Sequence, residues 1–196
     1  MRVGAFITVA IALIGQAVAQ FKLGDPAYSG AGCPAGLVQL VQPPDGQSLS
    51  MVFSQLNAET SSSARFVRSA CNVAIPVSML PGVKLAIWYG EYHVSVSVPG
   101  NDGSGAQFTT QFFFAGSTSQ TTTVKWDQPT SDDVVVIDRT SPIAWSKCGG
   151  SSVLRVDAAI TASKRLLTAP DVKINITSDD DFTWGFRYYF GLQSCQ

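Results

Sequence analysis

Along this chain of 196 residues, apolar side chains alternate with polar ones instead of recurring every third or fourth position. The clearest run starts at Cys71, where Cys71, Val73, Ile75, Val77 and Met79 share a phase against Asn72, Pro76 and Ser78. A period of two puts such a set on one face of a strand. Pro76 has no amide to donate to a ladder, which predicts an edge strand or a bulge there. Beyond the Pro81-Gly82 turn, Val83, Leu85, Ile87 and Tyr89 keep one phase. At Gly90-Glu91 the phase inverts, and Tyr92, Val94, Val96 and Val98 carry the apolar face onward. A slip of one residue turns a strand inside out, so this inversion predicts a bulge or tight bend at Gly90.

Further alternating runs occur at Leu37 to Gln42, Ser48 to Ser54, Phe108 to Phe114, Leu154 to Ile160, Val172 to Thr177 and Phe182 to Phe190. Weaker ones lie near Thr121 to Trp126, Val134 to Asp138 and Ile143 to Lys147. Turn signals such as Pro43-Pro44-Asp45-Gly46 and the stretch PGNDGSG separate them. About ten short strands with regular turns and no helical period predict an all-β antiparallel sandwich, its topology (jelly-roll or immunoglobulin-like) left open. No repeat or linker interrupts the chain, so one domain is expected over 33–196, behind a loosely ordered lead at 20–32.

The first residues, MRVGAFITVAIALIGQAVAQ, follow another logic. Arg2 precedes an apolar run from Ala5 to Gln16, and Ala17-Val18-Ala19 offers the small residues a signal peptidase reads. This run is shorter than the roughly 20 residues a membrane span needs. Residues 1–19 are therefore expected to be a cleaved secretory signal, leaving an extracellular chain without a membrane segment. Thirteen basic residues face fourteen acidic ones, a balance that leaves no electrostatic footprint for nucleic acid.

Four cysteines, Cys33, Cys71, Cys148 and Cys195, are spread widely. Zinc ligands come in close pairs, and none occurs here. An even count behind a secretion signal points to two disulfides. Three pairings are arithmetically open and spacing does not choose among them; the sequential one, Cys33 with Cys71 and Cys148 with Cys195, is the expectation taken forward.

The cysteine contexts read GCPAG at Gly32 to Gly36, RFVRSACNVAIPVSMLPG around Cys71, and AWSKCGG around Cys148, with the last cysteine near the C-terminus. In order and context these motifs resemble the secreted family known as domain of unknown function 4360, common in fungi and found in some bacteria. The resemblance spans Gly32 to Cys195. It departs from the usual pattern at Ser69-Ala70-Cys71, where members often have Lys-Asn-Cys. It implies a secreted, disulfide-bonded protein and carries no catalytic residue with it.

Candidate chemistry is sparse. His93 is the single histidine, no G-x-S-x-G elbow accompanies it, and it reads as a solvated strand residue. A copper brace would need a histidine at the mature N-terminus, where Gln20 stands. Paired carboxylates for glycoside hydrolysis would come from Glu59, Glu91, Asp127, Asp132, Asp133, Asp157 or Asp181. Asp179-Asp180-Asp181 lacks the spacing of a calcium loop and reads as a solvated turn. No metal or cofactor is expected. Asn175-Ile176-Thr177 is an N-glycosylation acceptor on the outward phase of its strand. Trp88, Tyr92 and Tyr189, with Trp126, are candidate stacking aromatics for a sugar, against the commoner role of aromatics as core. Lys164-Arg165 is a dibasic pair of the kind processing proteases read, in a stretch that reads as a loop. The expected function is a secreted, non-catalytic protein that binds a glycan or a protein at or outside the cell surface. A carbohydrate-active hydrolase and a structural wall component are the alternatives.

Overall fold

The computed structural model describes residues 20–43, 46–100, 102–117, 121–139, 145–176 and 185–195. Two antiparallel sheets are packed face to face. The first, sheet A, is built from β1 (Phe21–Leu23), β2 (Ala27–Ser29), β6 (Phe66–Met79), β8 (Gly105–Phe114), β9 (Thr121–Trp126) and β11 (Gly150–Ser163). Its order is β1-β6-β11-β8-β9, with β2 also paired to β6. Sheet B contains β3 (Val38–Val41), β4 (Ser48–Phe53), β5 (Asn57–Glu59), β7 (Val83–Val98), β10 (Thr130–Asp138), β12 (Lys173–Ile176) and β13 (Phe186–Ser194). Its order is β3-β4-β13-β7-β12-β5, with β10 paired to β7. β12 and β13 follow one another along one edge of β7, and β10 takes the other.

The lead is more ordered than its composition suggests. Phe21 to Leu23 pair with Met79 to Val77, and Ala27 to Ser29 pair with Ala74 to Asn72. The gap between these two short strands falls opposite Pro76. There the amide of Gly24 reaches Pro76, donating to its carbonyl at 2.7 Å. Pro76 therefore sits inside a sheet, paired with Val153 on its other side, because its missing donor points at a break in the neighbouring ladder. Of the strand expected over Ile143 to Lys147, the described part forms a single bridge, Trp145 with Ala86.

The interior is aromatic and β-branched. Tyr92, Tyr188, Phe108, Phe114 and Phe186 are fully buried, with Tyr92 5.1 Å from Phe108 and 4.9 Å edge-on to Phe186. Such edge contacts add to what burial alone contributes. Gly90 makes room for this cluster, since a Cβ there would lie 2.5 Å from the Tyr92 hydroxyl. Burial raises the pKa of both Tyr92 and Tyr188.

Both disulfides follow the sequential pairing. Cys33–Cys71 joins the segment before β3 to β6, and Cys148–Cys195 joins the segment before β11 to the end of β13. Each closure stabilises by about 2–4 kcal/mol through the unfolded chain. The glycines ahead of Cys33 have a specific task. Gly32 donates its amide to the Ala70 carbonyl at 2.9 Å, and a Cβ on it would lie 2.4 Å from Leu56. A side chain there would push the cysteine away from its partner on β6.

Of the dibasic pair, Arg165 is exposed and Lys164 is buried. The Lys164 side chain is 1% exposed and forms a 2.7 Å ion pair with Asp171. It also donates to the carbonyls of Leu167 and Ala169, each at 3.0 Å. Lys164 is thus the internal tie of its own loop.

Asp138, at the end of β10, is also buried. Loss of hydration raises its pKa, partly offset by a hydrogen bond with Thr122. A carboxyl with a raised folded-state pKa favours folding most at low pH, and that contribution is lost as pH rises through its folded pKa. Asp138→Asn is expected to melt above wild type at pH 8, with the difference closing near pH 3. Thermal unfolding at both pH values checks this.

Candidate functional site

β7 carries its apolar face toward the core from both ends, Leu85 and Ile87 before the inversion and Tyr92, Val94 and Val96 after it. The inversion is absorbed where β7 meets β13. Tyr189 pairs with Tyr89, but the next residue, Phe190, pairs with Ile87. The extra residue is Trp88, so the bulge lies two positions before Gly90. A bulge of this kind sends two successive side chains to the same face. Trp88 and Tyr89 accordingly both project from the outer face of sheet B.

Their surroundings confirm that placement. Tyr89 stacks on Tyr189 across the ladder, with centroids 4.3 Å apart and planes 12° from parallel. Trp88 lies over Gly191, where a Cβ would fall 1.4 Å from the indole nitrogen. Only a glycine leaves room for the ring, whose residue remains 49% exposed. Gly191 pairs with Ala86, and Ala86 bridges to Trp145. Opposed residues of antiparallel strands share a face, so Trp145 belongs to this surface as well, with the Lys84 ammonium 4.7 Å above its ring.

Polar groups edge the rings. The Tyr189 hydroxyl donates to Glu91 Oε2 at 3.0 Å. Arg187 lies opposite Glu91 in the ladder and donates from Nε to Ser50 Oγ at 3.3 Å. The Arg139 guanidinium stands 6.0 Å from the Tyr89 ring centre. Partial burial and the neighbouring Glu91 raise the Tyr189 pKa, against a lowering hydrogen bond with Arg187. One strip of sheet B therefore presents an exposed indole, a stacked phenol pair, a carboxylate and guanidinium groups.

The sequence candidates divide around this strip. Trp88 and Tyr189 are brought together on it. Tyr92 is not: it is fully buried on the opposite face of β7, because the inversion that exposes Trp88 turns Tyr92 inward. Trp126 is partly buried against the core. His93, expected to be solvated, is 5% exposed, and its amide donates to the Gly185 carbonyl at 2.9 Å. Asn175 lies on the outer phase of β12 opposite Ser95 and Asn57; Thr177 of its acceptor motif lies outside the described residues.

Among the carboxylates, Glu59 is paired with Lys173 at 2.7 Å, Glu91 serves Tyr189, and Asp157 is on the other sheet. Asp132 and Asp133 sit on β10 and Asp127 precedes it. Asp179, Asp180 and Asp181 fall outside the described residues. Among the described residues no cluster of three or more His, Cys, Asp or Glu is placed to hold a metal ion. Sequence reasoning missed Tyr89 and Trp145. Tyr89 was hidden by its apparent phase with Ile87, and Gly191, set within an aromatic strand, was the available signal.

Fold and surface together define a disulfide-stapled β-sandwich with an aromatic strip on one outer face. The chain belongs to the family described as domain of unknown function DUF4360, which matches residues 19–195. An uncharacterized secreted protein of Arthroderma benhamiae is 25% identical over 160 residues, covering 79% of this chain. This chain spans 64% of that relative's length. A solved structure of TmCBM61 in complex with beta-1,4-galactotriose aligns over 87% of this chain and 88% of its own, at 11% identity and a TM-score of 0.30. No described helix is long and apolar enough to cross a membrane.

The Trp88 seat is directly testable. Gly191→Ala is expected to lift the indole from the sheet and red-shift its emission while leaving the fold intact. Emission spectra of wild type and Gly191→Ala, each with the spectrum of the Trp88→Phe variant subtracted, and far-UV circular dichroism check it.

Proposed function

We propose that this protein is secreted and binds a glycan through the outer strip of sheet B, without catalysing a reaction there. The observation that carries the reading is the Trp88 indole, held over Gly191 with nearly half its surface open beside the Tyr89–Tyr189 pair. An indole fixed against a sheet offers a sugar ring a flat apolar partner at little entropic cost. Glu91 and Arg187 supply an acceptor and donors for the hydroxyls at the edge of that ring. Such groups fix orientation, while the ring supplies contact area. The apolar segment at residues 1–19, the two disulfides and the secreted relative support export.

Trp88→Ala is expected to weaken binding at least tenfold, about 1.4 kcal/mol, to whichever glycan the wild type retains on an array. Its thermal unfolding should stay within a few degrees of wild type, since the ring is not part of the core. Equal retention of the variant and the wild type would overturn the assignment. On the same reading, Asn175 carries an N-glycan in the exported protein. Peptide-N-glycosidase treatment is expected to lower the apparent mass of the wild type and leave that of Asn175→Gln unchanged.

A further inference from the structure

The outer face of sheet A carries a second feature, unconnected with the aromatic strip. Ala70 on β6 and Ala159 on β11 lie opposite one another, with Thr109 of β8 next in the row. These short side chains floor a depression of about 140 Å³ walled by Arg68, Asn72, Gln111 and Asp157. Asp157 stands between Asn72 and Gln111 in the ladder. Its Oδ1 is buried without a hydrogen-bond partner, as is Nε of Arg155 two residues before it. An unsatisfied buried acceptor is costly and gains from any hydroxyl that reaches it.

A second depression, of about 290 Å³, lies further along the same strands. Phe66, 64% exposed, stands at its edge with Lys125, Asp127 and Thr161. From the Asp157 row to the Phe66 row is six residues, roughly 20 Å of strand, which exceeds a single sugar. Across the two depressions Arg68 and Lys125 are balanced by Asp127 and Asp157, so the lining favours neither a polyanion nor a polycation. Amide, hydroxyl and carboxylate groups beside one exposed ring match a chain of neutral polyols.

We propose that this face of sheet A is a second binding surface, for an uncharged linear oligosaccharide lying along the strands from Asp157 to Phe66. It shares a ligand class with the proposed function but not its residues, so the two sites stand or fall separately. The two sites together make the protein bivalent, able to hold two chains on opposite sides.

The test is titration calorimetry of the full protein with hexaoses of β-1,3-glucan, β-1,4-glucan, β-1,4-galactan and β-1,4-mannan. Two equivalents are expected to bind for at least one of them. Phe66→Ala, Asp157→Ala and the trough-filling Ala159→Gln should each weaken one equivalent at least tenfold; Phe66 is exposed enough that its variant tests the site even if Ala159→Gln misfolds. Trp88→Ala should remove the other equivalent. A single equivalent lost with Trp88→Ala and indifferent to the three sheet A variants overturns this proposal alone. A single equivalent lost with the sheet A variants and indifferent to Trp88→Ala supports it and overturns the assignment to sheet B. Binding of none of the four hexaoses overturns it.

Discussion

The outer strip of sheet B is conditioned by one requirement inside the sandwich: β7 must keep apolar side chains against sheet A over its whole length although its sequence changes phase midway. A regular strand would bury Trp88 or expose Tyr92. Exposing Tyr92 would empty the centre of an interior in which it touches Phe108 and Phe186, a loss of about 3–5 kcal/mol by analogy with aromatic truncations. One extra residue on β7 removes the conflict. Its by-product is that Trp88 and Tyr89 emerge together on the outer face, where β13 meets them with a glycine and a second tyrosine. The surface strip is thus a consequence of core packing.

This explains how much was legible beforehand. Class, sheet number and most strands follow from alternation, because a half-buried antiparallel strand writes its burial into every second residue. The inversion near Gly90 was visible too, but not the residue that absorbs it. Alternation reports that a phase changes and cannot say which partner strand takes up the slack. That information sits about a hundred residues away in Tyr189, Phe190 and Gly191. Alternation therefore sets Tyr89 in phase with Ile87, and pairing with β13 turns it outward, whereas Tyr92 stays on the apolar phase it shares with Val94 and is buried there. The lead was misjudged for another reason: β1 and β2 are three residues each, too short to show a period, and owe their order to the open edge of β6.

The two outer faces are chemically unlike. Sheet B offers rings set on a glycine, with charge at their margin; sheet A offers a polar trough floored by alanines. Both arise from small residues placed across neighbouring strands, where absent side chains open the surface without disturbing the ladder. Backbone pairing therefore sets the location of each feature, and composition sets its chemistry. Most of the groups on both surfaces sit on strands, so the rigidity of the sandwich is passed to them directly, with Trp145, Arg139 and Asp127 added from the adjoining segments.

The dependence of Trp88 on Gly191 has an evolutionary corollary. The indole occupies volume that any larger residue at 191 would claim, so these two positions drift as a pair. In relatives where 191 gains a side chain, the ring at 88 is expected to be gone, and with it the pressure to keep glycine. Reading those two columns together would separate lineages that retain this surface from those that have abandoned it.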